Sequence, residues 1–108
     1  MTIREISVDE LAERLADGAK LLDVRQPEEY AICRLPGSRL IPLGELPYRA
    51  GEVEPPAGVP VVVYCHHGVR SLSGAAILQQ TAGLGDVYSM AGGIEAWSAR
   101  VDPAVPRY

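Results

Sequence analysis

Cys65 is the residue of this chain whose surroundings most clearly favour chemistry. It follows the apolar run of residues 61–64 (VVVY) and opens the stretch of residues 65–71 (CHHGVRS). The residues from Ser71 to Thr81 then predict a helix. A buried strand therefore delivers a thiol into a glycine-containing loop that ends at a helix N-terminus. The unpaired N–H groups and the helix dipole at such a terminus favour a thiolate and bind anions.

The six residues from Cys65 to Arg70 have the composition of a loop that can stabilise a negatively charged sulfur. Their N–H groups can converge on the thiolate and stabilise its charge without a metal or a general base. Gly68 permits a backbone conformation that bulkier residues avoid. Arg70 can hold an anionic substrate through paired hydrogen bonds. A cysteine at a strand end can also be a plain buried apolar residue, but the glycine, the arginine and the helix start together favour a nucleophile.

Two adjacent histidines, His66 and His67, leave their role open. They could be solvated side chains, they could tune the charge of the thiolate, or one of them could transfer a proton. Together with Cys33 and Cys65 they supply the ligand types that bind zinc. Consecutive Cys-His-His is poor chelating geometry and no Cys-x-x-Cys pair exists, so we predict no metal site.

Asp23 and Arg25 follow a second apolar segment, at the kind of position where α/β proteins form their sites. We expect Asp23 to brace neighbouring loops. Arg25 either forms a structural ion pair or lies near the site as a supporting residue. Cys33 is expected to be an inert thiol, and two cysteines in such a chain favour reduced thiols over a disulfide.

Apolar periodicity and turn residues predict strands that alternate with helices. A capping box at Ser7 and Glu10 begins the first helix, which Gly18 is expected to end. Residues 44–58 are predicted to be a loop with at most one helical turn, and residues 101–108 a tail along the surface. The alternation predicts an α/β fold with a mainly parallel sheet of about five short strands flanked by helices. The predicted strands are residues 3–6, 20–24, 40–41, 61–64 and 86–89, and the later helices are residues 27–31, 71–81 and 94–99.

Composition narrows the class of protein. At 108 residues we expect one domain over residues 1–108, and 47% apolar residues suffice for a core. The net charge of −4 argues against nonspecific nucleic-acid binding, which needs a basic face. No apolar run is long enough to span a membrane. The first residues lack the apolar stretch of a signal peptide, so we expect a cytoplasmic protein.

Three motifs follow one another along the chain. Residues 21–30 (LLDVRQPEEY) form the first, which residues 35–38 (LPGS) and 41–43 (IPL) continue. Residues 65–71 form the second, and residues 90–97 (MAGGIEAW) the third. In order and spacing they resemble the first signature, the active-site loop and the closing signature of single-domain rhodanese-like sulfurtransferases. The resemblance extends over nearly the whole chain.

The resemblance implies a rhodanese-like fold and a rhodanese-type (thiosulfate) sulfurtransferase. In that family the matching cysteine takes sulfane sulfur from a donor such as thiosulfate, becomes a persulfide, and passes the sulfur to a thiophilic acceptor such as cyanide or a thiol. This implies that Cys65 is catalytic. It implies a substrate-binding, loop-lining role for His66, His67, Gly68, Val69 and Arg70. We expect no cofactor, and as partners a small-molecule donor and acceptor or a sulfur-accepting protein.

Other functions compete with this interpretation. Tyrosine phosphatases also use a Cys-and-Arg loop, but with five intervening residues, whereas four separate Cys65 from Arg70. Some rhodanese-like domains are noncatalytic interaction modules without the cysteine, and a persulfide carrier for one protein partner is a milder variant. One departure from the family lies at residues 33–35 (CRL), where relatives often have Gly-His-Ile.

Overall fold

The computed structural model describes residues 3–15 and 18–108. These residues form five strands, five α-helices and a short 3-10 helix at Ala50–Glu52. In chain order the elements are β1 (Arg4–Ile6), α1 (Val8–Arg14), β2 (Lys20–Asp23), α2 (Pro27–Ile32), β3 (Arg39–Leu40), α3 (Leu46–Arg49), β4 (Val61–Tyr64), α4 (Arg70–Thr81), β5 (Val87–Met90) and α5 (Gly93–Arg100). Within that part of the chain, no helix is long and apolar enough to cross a membrane.

The described strands form one sheet in the order β1-β5-β4-β2-β3, and every pair is parallel. The predicted α/β fold with a mainly parallel sheet of about five strands is thus confirmed. In the register, Asp23 lies opposite Tyr64, and Val63 lies opposite Ser89. The segments that leave the carboxyl ends of β2, β4 and β5 therefore start side by side, which is where open α/β sheets bind ligands.

Strand β4 is apolar throughout because both of its faces are covered. Val62 and Tyr64 pack into a core cluster on one side of the sheet, with Trp97 of α5. Val61, Val63 and Cys65 pack into the cluster on the other side, with residues of α4. Alternation along an extended chain therefore directs the Cys65 side chain towards the face that α4 covers.

Most predicted boundaries differ from the observed ones by a residue or two, as fraying ends do. Ser7 caps α1 by accepting a hydrogen bond from the Glu10 amide at 3.1 Å. The helix ends at Arg14, before the predicted stop at Gly18, and residues 16 and 17 lie outside the described part. Strand β5 starts and ends one residue later than predicted.

Two predictions about irregular segments hold in part. The helical turn predicted within residues 44–58 is α3, where Pro47 occupies a first helical turn, a position that tolerates proline, and Leu46 is buried; the 3-10 helix that follows was not predicted. The tail of residues 101–108 is mostly exposed, as predicted, but one residue anchors it. Val105 packs into the core cluster with Trp97, and its carbonyl accepts a hydrogen bond from Ser98. This anchor brings the last residue to the carboxyl edge of the sheet.

Candidate active site

The Cys65 thiol lies at the base of the loop between β4 and α4, with 1% of the residue exposed. Its Sγ accepts hydrogen bonds from the amide of Gly68 at 3.1 Å and the amide of Ser71 at 3.3 Å. Ser71 is in the first turn of α4, so its amide is one of the helix N–H groups without a partner within the helix. The sulfur therefore lies where backbone dipoles stabilise a negative charge.

The donors to the sulfur differ in part from those expected. The six residues from Cys65 to Arg70 were predicted to converge on the thiolate, but the bond from α4 comes from Ser71, one residue beyond them. Gly68 contributes as expected and adopts a φ of +95°, which favours glycine. A Cβ at this position would lie 2.8 Å from the backbone nitrogen of Gly92. Gly68 thus meets both the conformational and the packing requirement.

Two buried serine hydroxyls, of Ser71 and Ser89, also lie close to the Cys65 sulfur. The Ser71 Oγ lies 3.5 Å from the Cys65 Sγ and 2.7 Å from the Ser89 Oγ of β5. If Ser89 donates to Ser71, the Ser71 hydroxyl is free to donate to a thiolate. Both serines are fully buried, so this third donor acts where water does not compete.

The third motif, residues 90–97, holds the loop in place through backbone hydrogen bonds. At the N-terminus of α5, the Ile94 amide donates to the Cys65 carbonyl at 2.8 Å and the Glu95 amide donates to the His66 carbonyl at 3.1 Å. Gly93 has a φ of +63°, and a Cβ there would lie 2.6 Å from the Cys65 carbonyl oxygen and overlap that of His66. Gly93 therefore allows the backbone of α5 to approach the loop directly.

The guanidinium of Arg70 is bound by another side chain of the protein. Its Nη1 and Nη2 donate to the two carboxylate oxygens of Glu29 at 2.7 and 2.9 Å. These hydrogen bonds from Arg70 lower the pKa of Glu29 to about 2. The paired donors that were expected to hold an anionic substrate are therefore already engaged by a side chain of α2.

The final residue of the chain covers the loop. The Tyr108 ring stacks on His66 with a centroid distance of 3.9 Å. Its hydroxyl donates to Glu29 at 2.8 Å and accepts from Arg25 at 2.7 Å. Burial raises the pKa of Tyr108 to about 12, so the phenol keeps its proton at neutral pH.

Asp23 and Arg25 form a fully buried ion pair. The Arg25 Nε and Nη2 donate to Asp23 at 2.9 and 2.7 Å, and Nη2 also donates to the Cys33 carbonyl at 2.6 Å. Burial is the largest single influence on the pKa of Arg25 and lowers it, but the hydrogen bonds to Asp23 and Tyr108, together with the charges of these two groups, outweigh burial and raise the pKa. Asp23 thus holds the guanidinium of Arg25 in place. Arg25 in turn donates to the hydroxyl of Tyr108 beside the loop.

The remaining loop residues surround the site without contacting the sulfur through hydrogen bonds of their own. His66 stacks between Tyr108 and His67, and burial, followed by the charge of His67, lowers the pKa of His66. A neutral His66 adds no positive charge to the loop. Val69 is 72% exposed and forms part of the rim.

Cys33 is a second buried free thiol. Its Sγ lies 4.0 Å from the Arg25 Nη1. Cys33 packs with the core cluster that includes Leu35 and Tyr64, whereas Cys65 belongs to the cluster on the opposite side of the sheet.

A cavity of about 190 Å³ lies elsewhere, lined by Lys20, Val61 and neighbouring residues near the amino ends of β2 and β4. The geometry around the thiol, rather than this cavity, marks the candidate site.

The family of the chain follows from comparison with known proteins. Residues 7–100 match the model of the rhodanese-like domain, which is most of the chain and includes the loop just described. The chain belongs to the rhodanese-like family.

Rhodanese-like relatives with sulfurtransferase names cover most of the chain. A protein of Allochromatium vinosum named sulfurtransferase is 37% identical over 105 residues, which are 95% of each chain. Thiosulfate sulfurtransferase GlpE of Pseudomonas paraeruginosa is 35% identical over 96 residues, or 89% of this chain and 84% of the relative. The chain spans only 38% of the length of a longer Arabidopsis thaliana protein, named for rhodanese-like and PpiC domains, to which it is 36% identical.

A solved rhodanese-like structure shares the architecture. The human single-domain sulfurtransferase TSTD1 superposes with a TM-score of 0.78 at 28% identity, over 92% of this chain and 98% of the other. The family relationship and the named relatives together identify the chain as a sulfurtransferase homologue.

Sequence reasoning missed four residues of the rhodanese-like site: Glu29, Ser71, Ser89 and Tyr108. Glu29 lies in the first motif, four residues after Arg25. Its charge within that motif could have singled it out. Ser71 directly follows Arg70 and was interpreted only as the start of a helix. Ser89 and Tyr108 gave no signal, because their contacts join segments 18 and 79 residues apart.

Proposed function

We propose that this chain is a rhodanese-type sulfurtransferase that carries sulfane sulfur as a persulfide on Cys65. The donor is a compound such as thiosulfate and the acceptor a thiophile such as cyanide or a thiol. The observation that carries the proposal is the cradle of amides, from Gly68 and Ser71, around a thiol at a helix N-terminus. The sulfurtransferase relatives, one of them a thiosulfate sulfurtransferase, support the same chemistry.

The first half-reaction is a displacement at sulfur. The Cys65 thiolate attacks the outer sulfur of thiosulfate, a new S–S bond forms, and the electron pair of the old S–S bond leaves with sulfite. The persulfide anion then lies in the loop, where the N–H groups stabilise its charge. In the second half-reaction cyanide attacks the outer sulfur, thiocyanate leaves, and the thiolate returns. Neither step needs a cofactor, and each conserves atoms and charge.

In this proposal some loop residues contact the sulfur and others line the path to it. Gly68 and Ser71 donate to the sulfur, while His66, His67, Val69 and Arg70 form the walls and rim past which the donor and the acceptor reach Cys65. Asp23 and Arg25 support the loop from the buried side.

A sulfur-accepting protein is the second candidate for the acceptor. Val69 of the loop exposes an apolar side chain that a protein partner could contact. Phosphatase activity is disfavoured by the four-residue spacing between Cys65 and Arg70. The single domain over residues 1–108 and the cytoplasmic location expected from the sequence are also part of the proposal.

Transfer of sulfur from thiosulfate to cyanide, followed as thiocyanate, tests the function. Cys65→Ser is expected to abolish the activity, since a hydroxyl cannot replace the thiolate as nucleophile. Cys33→Ser is the matched control and is expected to retain most of the activity. A folded Cys65→Ser protein that turns over at a near-normal rate would refute the proposal.

A further inference from the structure

Tyr108 connects charged groups that flank the Cys65 loop. Its hydroxyl accepts from the Arg25 Nη1 and donates to the Glu29 Oε2. Glu29 in turn accepts from both terminal nitrogens of Arg70. The phenol thus lies at the centre of a continuous chain of hydrogen bonds, Arg25–Tyr108–Glu29–Arg70, that ends at the first residue of α4.

The Glu29 carboxylate is held on several sides. The Gln26 amide donates to its Oε1 at 3.0 Å, Arg70 donates to both oxygens, and Tyr108 donates to Oε2. A carboxylate fixed in this way keeps a bidentate arginine in place, since both nitrogens of the planar guanidinium face it. The charge of Arg70, the cation of the Cys65 loop, is therefore balanced before any donor arrives.

We propose that Tyr108 is a positioning residue that sets donor specificity by holding Glu29 against Arg70. Because Glu29 neutralises the charge of Arg70, the site attracts a dianionic donor less strongly. A donor with a single negative charge depends less on Arg70 and is affected less. This inference rests on the proposed sulfur transfer and names the class of donor that the site disfavours.

Two donors that differ in one substituent isolate the effect of charge. Thiosulfate is a dianion, whereas in methanethiosulfonate a methyl group replaces one oxygen and leaves a single charge. The Cys65 thiolate attacks the terminal sulfur of either compound and forms the same persulfide. The electron pair of the broken S–S bond leaves with sulfite in one case and with methanesulfinate in the other. The ratio of kcat/KM for thiosulfate to that for methanethiosulfonate therefore reports how the site responds to the second charge.

Tyr108→Phe removes the hydroxyl but keeps the ring on His66, so the cover of the loop is preserved. We expect this variant to raise the ratio about threefold, because one neutral hydrogen bond to the carboxylate is lost. Glu29→Gln removes the partner charge and is expected to raise the ratio about tenfold, mainly through a lower KM for thiosulfate.

Matched variants separate positioning from general effects. Tyr88→Phe removes a tyrosine hydroxyl that also accepts from an arginine, Arg4 of the edge strand β1, at 3.1 Å. Since β5 separates β1 from β4 and its loop, this variant should leave the ratio unchanged. In the Arg70→Ala background, Tyr108→Phe should no longer alter the ratio, because the residue through which it acts is absent. Thermal melts of each variant show whether the fold is retained.

The outcomes distinguish this inference from the proposed function. An unchanged or lowered ratio in Tyr108→Phe, with normal sulfur transfer in the parent protein, would overturn the role of Tyr108 whatever the result for Glu29→Gln. An equal rise from Tyr108→Phe with and without Arg70 would also overturn it. If the parent protein forms no Cys65 persulfide with either donor, the proposed function itself fails.

Discussion

The hydroxyl of Ser71 is the smallest feature of the site with a measurable consequence. It lies 3.5 Å from the Cys65 sulfur and 2.7 Å from the Ser89 hydroxyl, while the Ser71 amide donates to the same sulfur. Ser71→Ala keeps the amide and removes only the hydroxyl. A lost neutral hydrogen bond costs about 0.5–1.5 kcal/mol, so alkylation of Cys65 by iodoacetamide at pH 7 should slow about two- to tenfold.

The alkylation experiment is made in a Cys33→Ser background, so that one thiol reacts. Ser73→Ala, at an exposed position of the same helix, is the control and should alkylate at the parent rate. Equal rates for Ser71→Ala and Ser73→Ala would mean that the hydroxyl does not stabilise the thiolate.

At the scale of elements, the contact between the Cys65 loop and the N-terminus of α5 holds the site together. Gly93→Ala adds a Cβ at a φ of +63° that meets the backbone of Cys65 and His66. Left-handed backbone costs a residue with a Cβ about 1–2 kcal/mol, and the overlap adds to this cost. We expect the melting temperature to fall by roughly 10 °C and sulfur transfer to fall with it.

Gly85→Ala provides the comparison for this variant. A Cβ at Gly85 meets no atom within 4 Å and its φ is not positive, so stability should change by less than about 0.5 kcal/mol. If the two alanine variants melted at the same temperature, direct backbone packing of α5 on the loop would not be important.

The elements also show where sequence reasoning succeeds. The apolar run before Cys65 and the helix pattern after it were sufficient to predict β4 and α4 within one residue, because a parallel strand covered on both faces has no polar positions. The single helical turn expected within residues 44–58 could not be placed, because prolines there were interpreted as helix breakers although Pro47 occupies the first turn of α3.

At the scale of the whole molecule, the acid stability of the protein depends on contacts between distant segments. The Glu29 pKa is about 2 in the folded protein, below its ordinary value of 4.5. A lowered carboxyl pKa contributes stability above the unfolded value, and this contribution is lost as the pH falls from about 4.5 towards 2. The free energy of unfolding of Glu29→Gln should therefore fall less steeply across this range than that of the parent protein.

Chemical denaturation at several pH values measures this slope. Glu28→Gln, at the exposed neighbouring position, controls for the loss of one carboxyl group and should leave the slope close to that of the parent. A Glu29→Gln protein with the same slope as the parent would show that the ion pair with Arg70 does not contribute to acid stability.

The same distant contacts explain what the sequence could not predict. The thiol, its glycine and its arginine lie within six residues, so their pattern is visible in the sequence. Glu29 meets Arg70 across 41 residues and Tyr108 meets Glu29 across 79. These contacts depend on how the tail packs through Val105, which no local periodicity indicates. The ion pair between Arg70 and Glu29 was not predicted for this reason.

Between the two half-reactions the transferred sulfur should reside on Cys65, and mass spectrometry of the protein after thiosulfate treatment can detect it there. We expect one added sulfur atom, located on the peptide that contains Cys65, present in Cys33→Ser, and removed by cyanide with release of thiocyanate. An unmodified Cys65 in a protein that still converts thiosulfate and cyanide to thiocyanate would show that the sulfur does not pass through a Cys65 persulfide.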